Sequence, residues 1–300
     1  ARAWHRSLWE AGIATDLIPA KTDPGADLSG YQIIIVPAIF IDYPGLARSL
    51  EQAAAAGAQV VVVGPTGVVD AGAGAVLGGY LGSLRPLLGV RVTDHAALSG
   101  PVEQSDPRGS LVNRLSRVVG TPAAETWTGL EAVAETLHRV LDRMGSPAPD
   151  LRAGGWAEEI RVDEAPGDAE AAQGWEPAEV VAVFDGRGGG SDLAGRPAIT
   201  RRAVGGTGTA WYVAADLDAL SRAALLRLVC AHTRVRPVVA DLPDGVEAQR
   251  RGEILFLLNH GDRAAEVAGV VGTDLLSGEA CTGHVVLAPR SALAVRDNMR

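Results

Sequence analysis

Two adjacent carboxylate pairs, Glu158/Glu159 and Asp163/Glu164, are the first residues of this chain whose chemistry could drive a reaction. A carboxylic acid and a carboxylate about 5 Å apart can divide the roles of proton donor and nucleophile between them. Neighbours on a strand, however, point to opposite faces, and neighbours in a loop are solvated one by one, so neither pair is expected to act together. The nucleophiles are no better placed. Cys230 and Cys281 are far apart and lack a partner motif, so they read as buried thiols rather than as a disulfide framework or a zinc knuckle. Thr66 has no histidine near it in sequence, and there is no Gly-x-Ser-x-Gly elbow.

The six histidines, His5, His95, His138, His232, His260 and His284, show none of the short spacings of metal ligands, so no metal is expected. Gly72, Gly74 and Gly78 approach a dinucleotide fingerprint but carry one residue too many, and the single lysine, Lys21, lies outside any P-loop. No cofactor is therefore expected. Of the six tryptophans, Trp9 and Trp211 follow helical or strand patterns and are expected in the core. Trp156 and Trp175 stand beside glycines near loops and are the candidates for an exposed aromatic platform or a subunit contact.

Composition sets wider bounds. A chain of 300 residues with 47% hydrophobic and 21% charged residues is globular and long enough for two domains. A net charge of -9 offers no overall basic field to nucleic acid or anionic lipid, so neither is an expected partner. The longest apolar runs, residues 33–41 and 58–65, are about half of the ~18 residues needed to cross a bilayer. The chain opens Ala-Arg-Ala-Trp without methionine, which reads as an N-terminus trimmed from a longer polypeptide.

The elements that would position these residues follow from periodicity. Trp4, Leu8, Trp9 and Ala11 predict a helix over residues 3–11 that Gly12 ends, with a strand at 14–18 after it. The apolar run at 31–37, a helix opened by Pro44 and stopped by Gly57, and a second apolar run at 59–64 form a strand–helix–strand crossover. That unit is the building block of a doubly wound α/β sheet. Helical patterns run through Leu111, Leu115 and Val118 and through Leu130, Val133, Leu137 and Leu141, and define a helical insertion at about 101–155. Residues 163–177 read as a solvated loop. A hairpin at 198–215 turns on the glycines 205–208, and a helix at 219–233 follows. Beyond Pro237 about six short alternating strands predict a small antiparallel β-sandwich. The expected domains are 1–236 and 237–300.

Several segments, in one order, carry a family resemblance: HRSLWEAGIATDLI (5–18), ADLSGYQIIIVPAIFI (26–41), GPTGVVD (64–70), LGGYLGSLRPLLGVRV (77–92), GRPAITRRAVGGTGTAWYV (195–213), EILFLLNHGD (253–262) and TDLLSG (273–278). The chain resembles the part of the family 42 glycoside hydrolases, mostly bacterial β-galactosidases, that follows their catalytic barrel. The resemblance implies an α/β domain of class I glutamine-amidotransferase-like, flavodoxin-like shape that holds three subunits together, followed by a small β domain. The implied function is non-catalytic oligomerisation and support of an enzyme that hydrolyses terminal β-D-galactosides, with a homotrimer as the assembly and the bacterial cytoplasm as its place.

In the barrel clan of that family the acid/base glutamate directly follows an asparagine. Asn113, Asn259 and Asn298 are followed here by Arg, His and Met, so no catalytic residue is assigned and the chain alone is expected to be inactive. Tyr80, Leu81 and Leu84 are the candidates for a subunit surface, because a tyrosine flanked by glycines and a leucine suggests more exposure than a core strand allows. The competing reading is a tight glycine turn packed on its own sheet. Two other classes stay in view. One is a free-standing carbohydrate-binding or scaffold module; the other is an independent amidotransferase-like enzyme built on Cys230 or Thr66.

Overall fold

A computed structural model describes residues 1–20, 27–98, 116–120, 151–164, 176–184, 191–240 and 242–296. The chain divides into two compact units, one of residues Ile18–Arg234 and one that joins Arg2–Leu17 to Val235–Arg300. In chain order the elements are α1 (Arg2–Glu10), β1 (Ile33–Pro37), α2 (Pro44–Ala55), β2 (Gln59–Val63), α3 (Arg85–Leu88), β3 (Val90–Leu98), β4 (Ser116–Gly120), β5 (Leu151–Val162), β6 (Glu179–Phe184), β7 (Pro197–Val204), β8 (Gly208–Val213) and β9 (Ala215–Leu217). After them come α4 (Ala219–Ala231), β10 (Val246–Arg251), β11 (Ile254–Asn259), β12 (Ala265–Asp274), β13 (Ala280–Leu287) and β14 (Ala292–Arg296).

The first unit is a mixed α/β layer. Its nine-stranded sheet runs β1-β2-β8-β7-β6-β4-β5-β3, with β9 added alongside β5. Among the described residues, β1, β2 and β8 are the strands parallel to one another, and the other strand pairings of this sheet are antiparallel. The strand–helix–strand crossover expected from the sequence is present at one edge, as β1, α2 and β2, within a mixed sheet. Each of the five residues of β2 is buried, as the run Gln-Val-Val-Val-Val requires of a strand covered on both faces. Pro44 sits in the first turn of α2, and the helix buries Ala47, Leu50, Ala53 and Ala54 before Gly57 closes it at φ +106°. Helix α4 starts on Asp218, whose carboxylate accepts the Ser221 amide at 2.8 Å.

The insertion expected at about 101–155 falls largely outside the described residues. Where it is described it is not helical: Val118 lies in β4, and residues from 151 onward belong to β5. Runs such as Leu-x-x-x-Leu-x-x-Val show helical spacing, but pairing with β5 and β6 decides the local structure at 116–120.

The second unit is a five-stranded antiparallel sheet in the order β10-β11-β14-β12-β13. Val246, Leu257, Val267, Val270 and Val295 are among the buried residues of its core. It is hydrogen-bonded as one sheet, and the two strands expected at 264–271 and 273–276 are one long strand, β12, with an irregularity between Ala268 and Val270. Gly269, at φ +75°, takes up the extra residue there. Helix α1, expected in the first domain, groups instead with this unit. Its Trp4, Ser7 and Leu8 are buried, and Gly12 (φ +67°) ends it. Residues 14–18, expected as a strand, do not form one, and Leu17 is exposed.

Candidate functional site

The parallel edge is where an α/β sheet ordinarily holds a ligand or a nucleophile, beyond the C-terminal ends of its strands. Here Thr66, just beyond the end of β2, serves the fold. The hydroxyl of Thr66 donates to the Val63 carbonyl (2.6 Å) and accepts the Ile39 amide (3.1 Å), which ties the turn after β2 to the turn after β1. A hydroxyl committed in this way, with no histidine against it among its hydrogen-bond partners, is a structural pin rather than an activated nucleophile. Cys230 lies on α4 outside any disulfide, and Cys281 is buried in the second unit, where burial pushes its thiol up from the usual range.

Beneath Gly64 lies Glu158, a carboxylate buried completely in the first unit. Its Oε2 accepts the hydroxyl of Tyr212, its Oε1 has no hydrogen-bond partner, and His95 Nδ1 lies 3.3 Å from Oε1. Burial drives the Glu158 carboxyl up to about 7, although the Tyr212 hydrogen bond acts in the opposite sense. Tyr212 is raised well above its ordinary value by burial and by the carboxylate beside it. Burial holds His95 below the usual imidazole range.

The neighbouring Glu159 turns to the other face of β5, toward Arg161 and Arg196 at 3.5 and 3.6 Å. Glu158 and Glu159 therefore do not converge, as the strand geometry predicts. Asp163 is clamped by Arg85 through bonds of 2.8 and 2.9 Å, with Arg91 3.8 Å away. Those arginines, with Arg202 and Glu164, line a shallow depression. Their charge is already engaged: Arg202 donates to the carbonyls of Glu176 and Pro86, and Arg85 also donates to the carbonyl of Gly78. Among the described residues no group of three His, Cys, Asp and Glu could hold a metal ion.

The candidate interface residues separate. Leu81 and Leu84 are buried in their own unit's core, Leu81 completely, so they offer no surface; this corrects the expectation of exposure and favours the glycine turn packed on its own sheet. The turn is tight because Gly67, Gly78, Gly79 and Gly82 all take positive φ, and a Cβ on Gly67 would press on the Leu81 backbone at 2.7 Å. Asp42 anchors the far side through the Ser83 hydroxyl at 2.5 Å. Tyr80 is half-buried, and its ring packs against that of His95 with centroids 4.8 Å apart and planes tilted by 37°.

The surface of this region belongs to residues the sequence reading did not single out. Phe40, Ile41 and Leu77 are 52%, 37% and 90% exposed. They are carried by segments that pair with one another: Ile41 bridges Val69, and Val69 bridges Ala75. Three large apolar side chains facing solvent at the end of one α/β edge are the signal, and no alternation in the run Ala-Ile-Phe-Ile marks it in the sequence. Trp156 lies on β5 opposite Ala97 and is half-buried rather than a free platform. Trp175 lies outside the described residues. Trp211 is core, as expected, with its indole N–H on the buried Gln59 side chain at 3.0 Å. Trp9 is half-buried, its ring 6.0 Å from that of His260.

The chain thus combines a mixed α/β unit that carries an apolar rim with a small antiparallel β unit. Two family models match it: the β-galactosidase trimerisation domain over residues 1–132 and the β-galactosidase C-terminal domain over residues 245–296. The chain belongs to the family 42 glycoside hydrolases, of which it carries the trimerisation and C-terminal domains, and the catalytic barrel is absent from these 300 residues. A β-galactosidase of an Arthrobacter species is 33% identical over 95% of this chain and 32% of its own length. The β-galactosidase BgaA of a Planococcus species is 26% identical over 97% of this chain and 36% of its own length. The chain thus spans about a third of the length of the curated relatives it matches. Among solved structures, the β-galactosidase from Bacillus circulans sp. alkalophilus superposes with a TM-score of 0.74 at 24% identity, over 98% of this chain and 36% of that one; the likeness speaks for the fold.

Proposed function

We propose that this chain is the self-association and support region of a bacterial β-galactosidase, and that its assembly is a homotrimer in the cytoplasm. Hydrolysis of terminal β-D-galactosides is the work of a barrel elsewhere in the whole protein. The observation that carries this reading is the exposed apolar group Phe40, Ile41 and Leu77, which lies inside the span matched by the trimerisation-domain model. A threefold assembly uses heterologous contacts, so this surface meets a different surface of the next subunit. The Tyr80 loop carries Leu77 to that contact, while Leu81 and Leu84 hold the loop from inside. The finer fold reading, an amidotransferase-like sheet without its site, is supported by the β1–α2–β2 crossover and by the committed hydroxyl of Thr66.

Sedimentation equilibrium of the purified chain tests the assembly. The expected mass is that of three chains, and Leu77→Asp with Phe40→Asp shifts it to one. A strictly monomeric mass for the unaltered chain at high concentration removes the reading. The support role predicts no product from a chromogenic β-galactoside, and measurable turnover would contradict it.

A further inference from the structure

Glu158 is placed where a carboxylate is costly and where its charge can be felt at the surface. It is completely buried, and one oxygen has no hydrogen-bond partner. An isolated buried charge is destabilising, so such a group is kept neutral or finds a counter-ion. The polar group within reach of that oxygen is the His95 imidazole, and it stands there because of a backbone irregularity. Val92 pairs with Ile160, but the register then slips so that Asp94 opposes Glu159 and His95 opposes Glu158. In a regular ladder Asp94 would face Glu158 and two carboxylates would meet. The bulge replaces that repulsion with an imidazole.

His95 also faces outward, with 38% of its side chain exposed, and its ring packs against that of Tyr80. Tyr80 follows Gly78 and Gly79, both at positive φ, and the segment bearing Leu77 is held by the Val76 amide on the Val68 carbonyl, by Arg85 on the Gly78 carbonyl and by the contact of Tyr80 with His95. The elements around Glu158 offer little else that is ionisable. Tyr212 comes from β8, and the turn after β2 contributes Gly64 and Thr66. Asp94 takes the amide of His95 at 2.8 Å, and Asp216 of β9 lies near Gly155. On α4, Arg222 is turned to the Leu217 carbonyl, and Arg85 is held by Asp163.

We propose that Glu158 and His95 form a proton-operated latch on the Tyr80 loop, which controls how the Leu77 surface is presented for self-association. In acid, Glu158 is neutral and a protonated His95 lies against the Tyr80 ring, an arrangement favoured by the ring's electron-rich face. When Glu158 loses its proton, the lone carboxylate draws the imidazole into a hydrogen bond at Oε1, and the contact with Tyr80 loosens. Burial places that change near neutrality. The latch rests on the self-association reading only for its effect on assembly; the motion of Tyr80 is independent of it.

The test uses the full chain labelled with 3-fluorotyrosine, whose four tyrosines give four fluorine signals. Tyr80→Phe identifies the one that belongs to Tyr80. From about pH 5.5 to about pH 8.5 the Tyr80 signal is expected to move with a midpoint near neutrality; that midpoint is lost in Glu158→Gln, where the movement left is the titration of His95 in acid, and the signal stays fixed in His95→Asn. Sedimentation over the same range is expected to show association weakening on the order of tenfold, again lost in both variants. A Tyr80 signal flat in the unaltered chain, or titrating unchanged in either variant, overturns the latch. A moving Tyr80 signal in a chain that is monomeric at every pH keeps the latch and removes the self-association reading. Assembly that is independent of pH with a flat signal does the reverse.

Discussion

The hydroxyl of Tyr212 donates to the buried Oε2 of Glu158, and both groups occupy the space beneath Gly64 where a Cβ would overlap them. That relationship predicts a pH-dependent stability with a definite sign. The Glu158 carboxyl lies at about 7 in the folded chain against an ordinary 4.5, so folding favours its protonated form. The cost is absent below 4.5, grows as pH rises, and is complete above about 7. Glu158→Gln keeps an acceptor for Tyr212 and removes the charge. The variant is expected to match the unaltered chain near pH 5 and to exceed it above about pH 8 by on the order of 1–3 kcal/mol. Urea midpoints at the two pH values measure this. His95, held low by burial, adds stability as pH rises in the variant as in the parent. A variant less stable than the parent at high pH would refute the assignment.

The β7–β8 hairpin separates two roles of glycine. Gly206 has φ +92° and open space around it, so Gly206→Ala costs only backbone strain, about 1–2 kcal/mol. Gly208 lies within the strand, and a Cβ there would run into the Ala54 carbonyl at the end of α2. Backbone cannot step aside as a side chain can, so Gly208→Ala is expected to cost more than about 3 kcal/mol and to lower the melting temperature of the first unit markedly. Equal effects of the two substitutions would show that the hairpin is not seated on the helix.

This pair also shows what a sequence can and cannot reveal. The glycine turn at 205–208 is legible from composition alone, as are β1, α2, β2 and the strands after Pro237, because each follows from periodicity and local punctuation. The seating of Gly208 on Ala54 is not, since it depends on residues that meet only in the folded sheet. For the same reason Val118 reads as helical and folds as strand, and the parallel pattern read at the first strands stops at β8. Glu158 was visible only as half of an acidic pair. Its meaning comes from Tyr212 and His95, one far along the chain and the other brought opposite by a bulge that no local signal marks.

Leu77 and Leu81 have the same side chain four residues apart and opposite fates. Leu81 is fully buried in the cluster with Leu50, Leu84 and Val90, whereas Leu77 is 90% exposed. Leu81→Ala is expected to cost about 2–4 kcal/mol by leaving a cavity, with the association constant per folded chain nearly unchanged. Leu77→Ala is expected to alter stability by less than about 0.5 kcal/mol while weakening self-association. Denaturant melts of dilute samples, set beside sedimentation, separate the two effects. A large stability loss at Leu77 would place it in the core and remove it from the proposed surface.

Asn259 gives the Leu-Leu-Asn-His segment of β11 its physical meaning. The residue is almost entirely buried, its amide donates to the carbonyls of Arg263 (2.8 Å), Ala288 (3.0 Å) and Leu287 (3.3 Å), and its Oδ1 accepts the Gly261 amide at 2.9 Å. One side chain thereby satisfies the turn after β11 and ties it to the end of β13. Asn259→Ala strands those carbonyls and is expected to cost about 2–4 kcal/mol in the second unit. Asn259→Asp keeps the shape but turns a donor into a charge facing three carbonyl oxygens, so it should be at least as damaging at neutral pH and recover in acid as the carboxyl takes a proton. Hydrogen exchange of the β11 and β13 amides, read separately from the first unit, distinguishes these outcomes. An Asp variant as stable as the parent at neutral pH would mean that the amide's three donations contribute nothing.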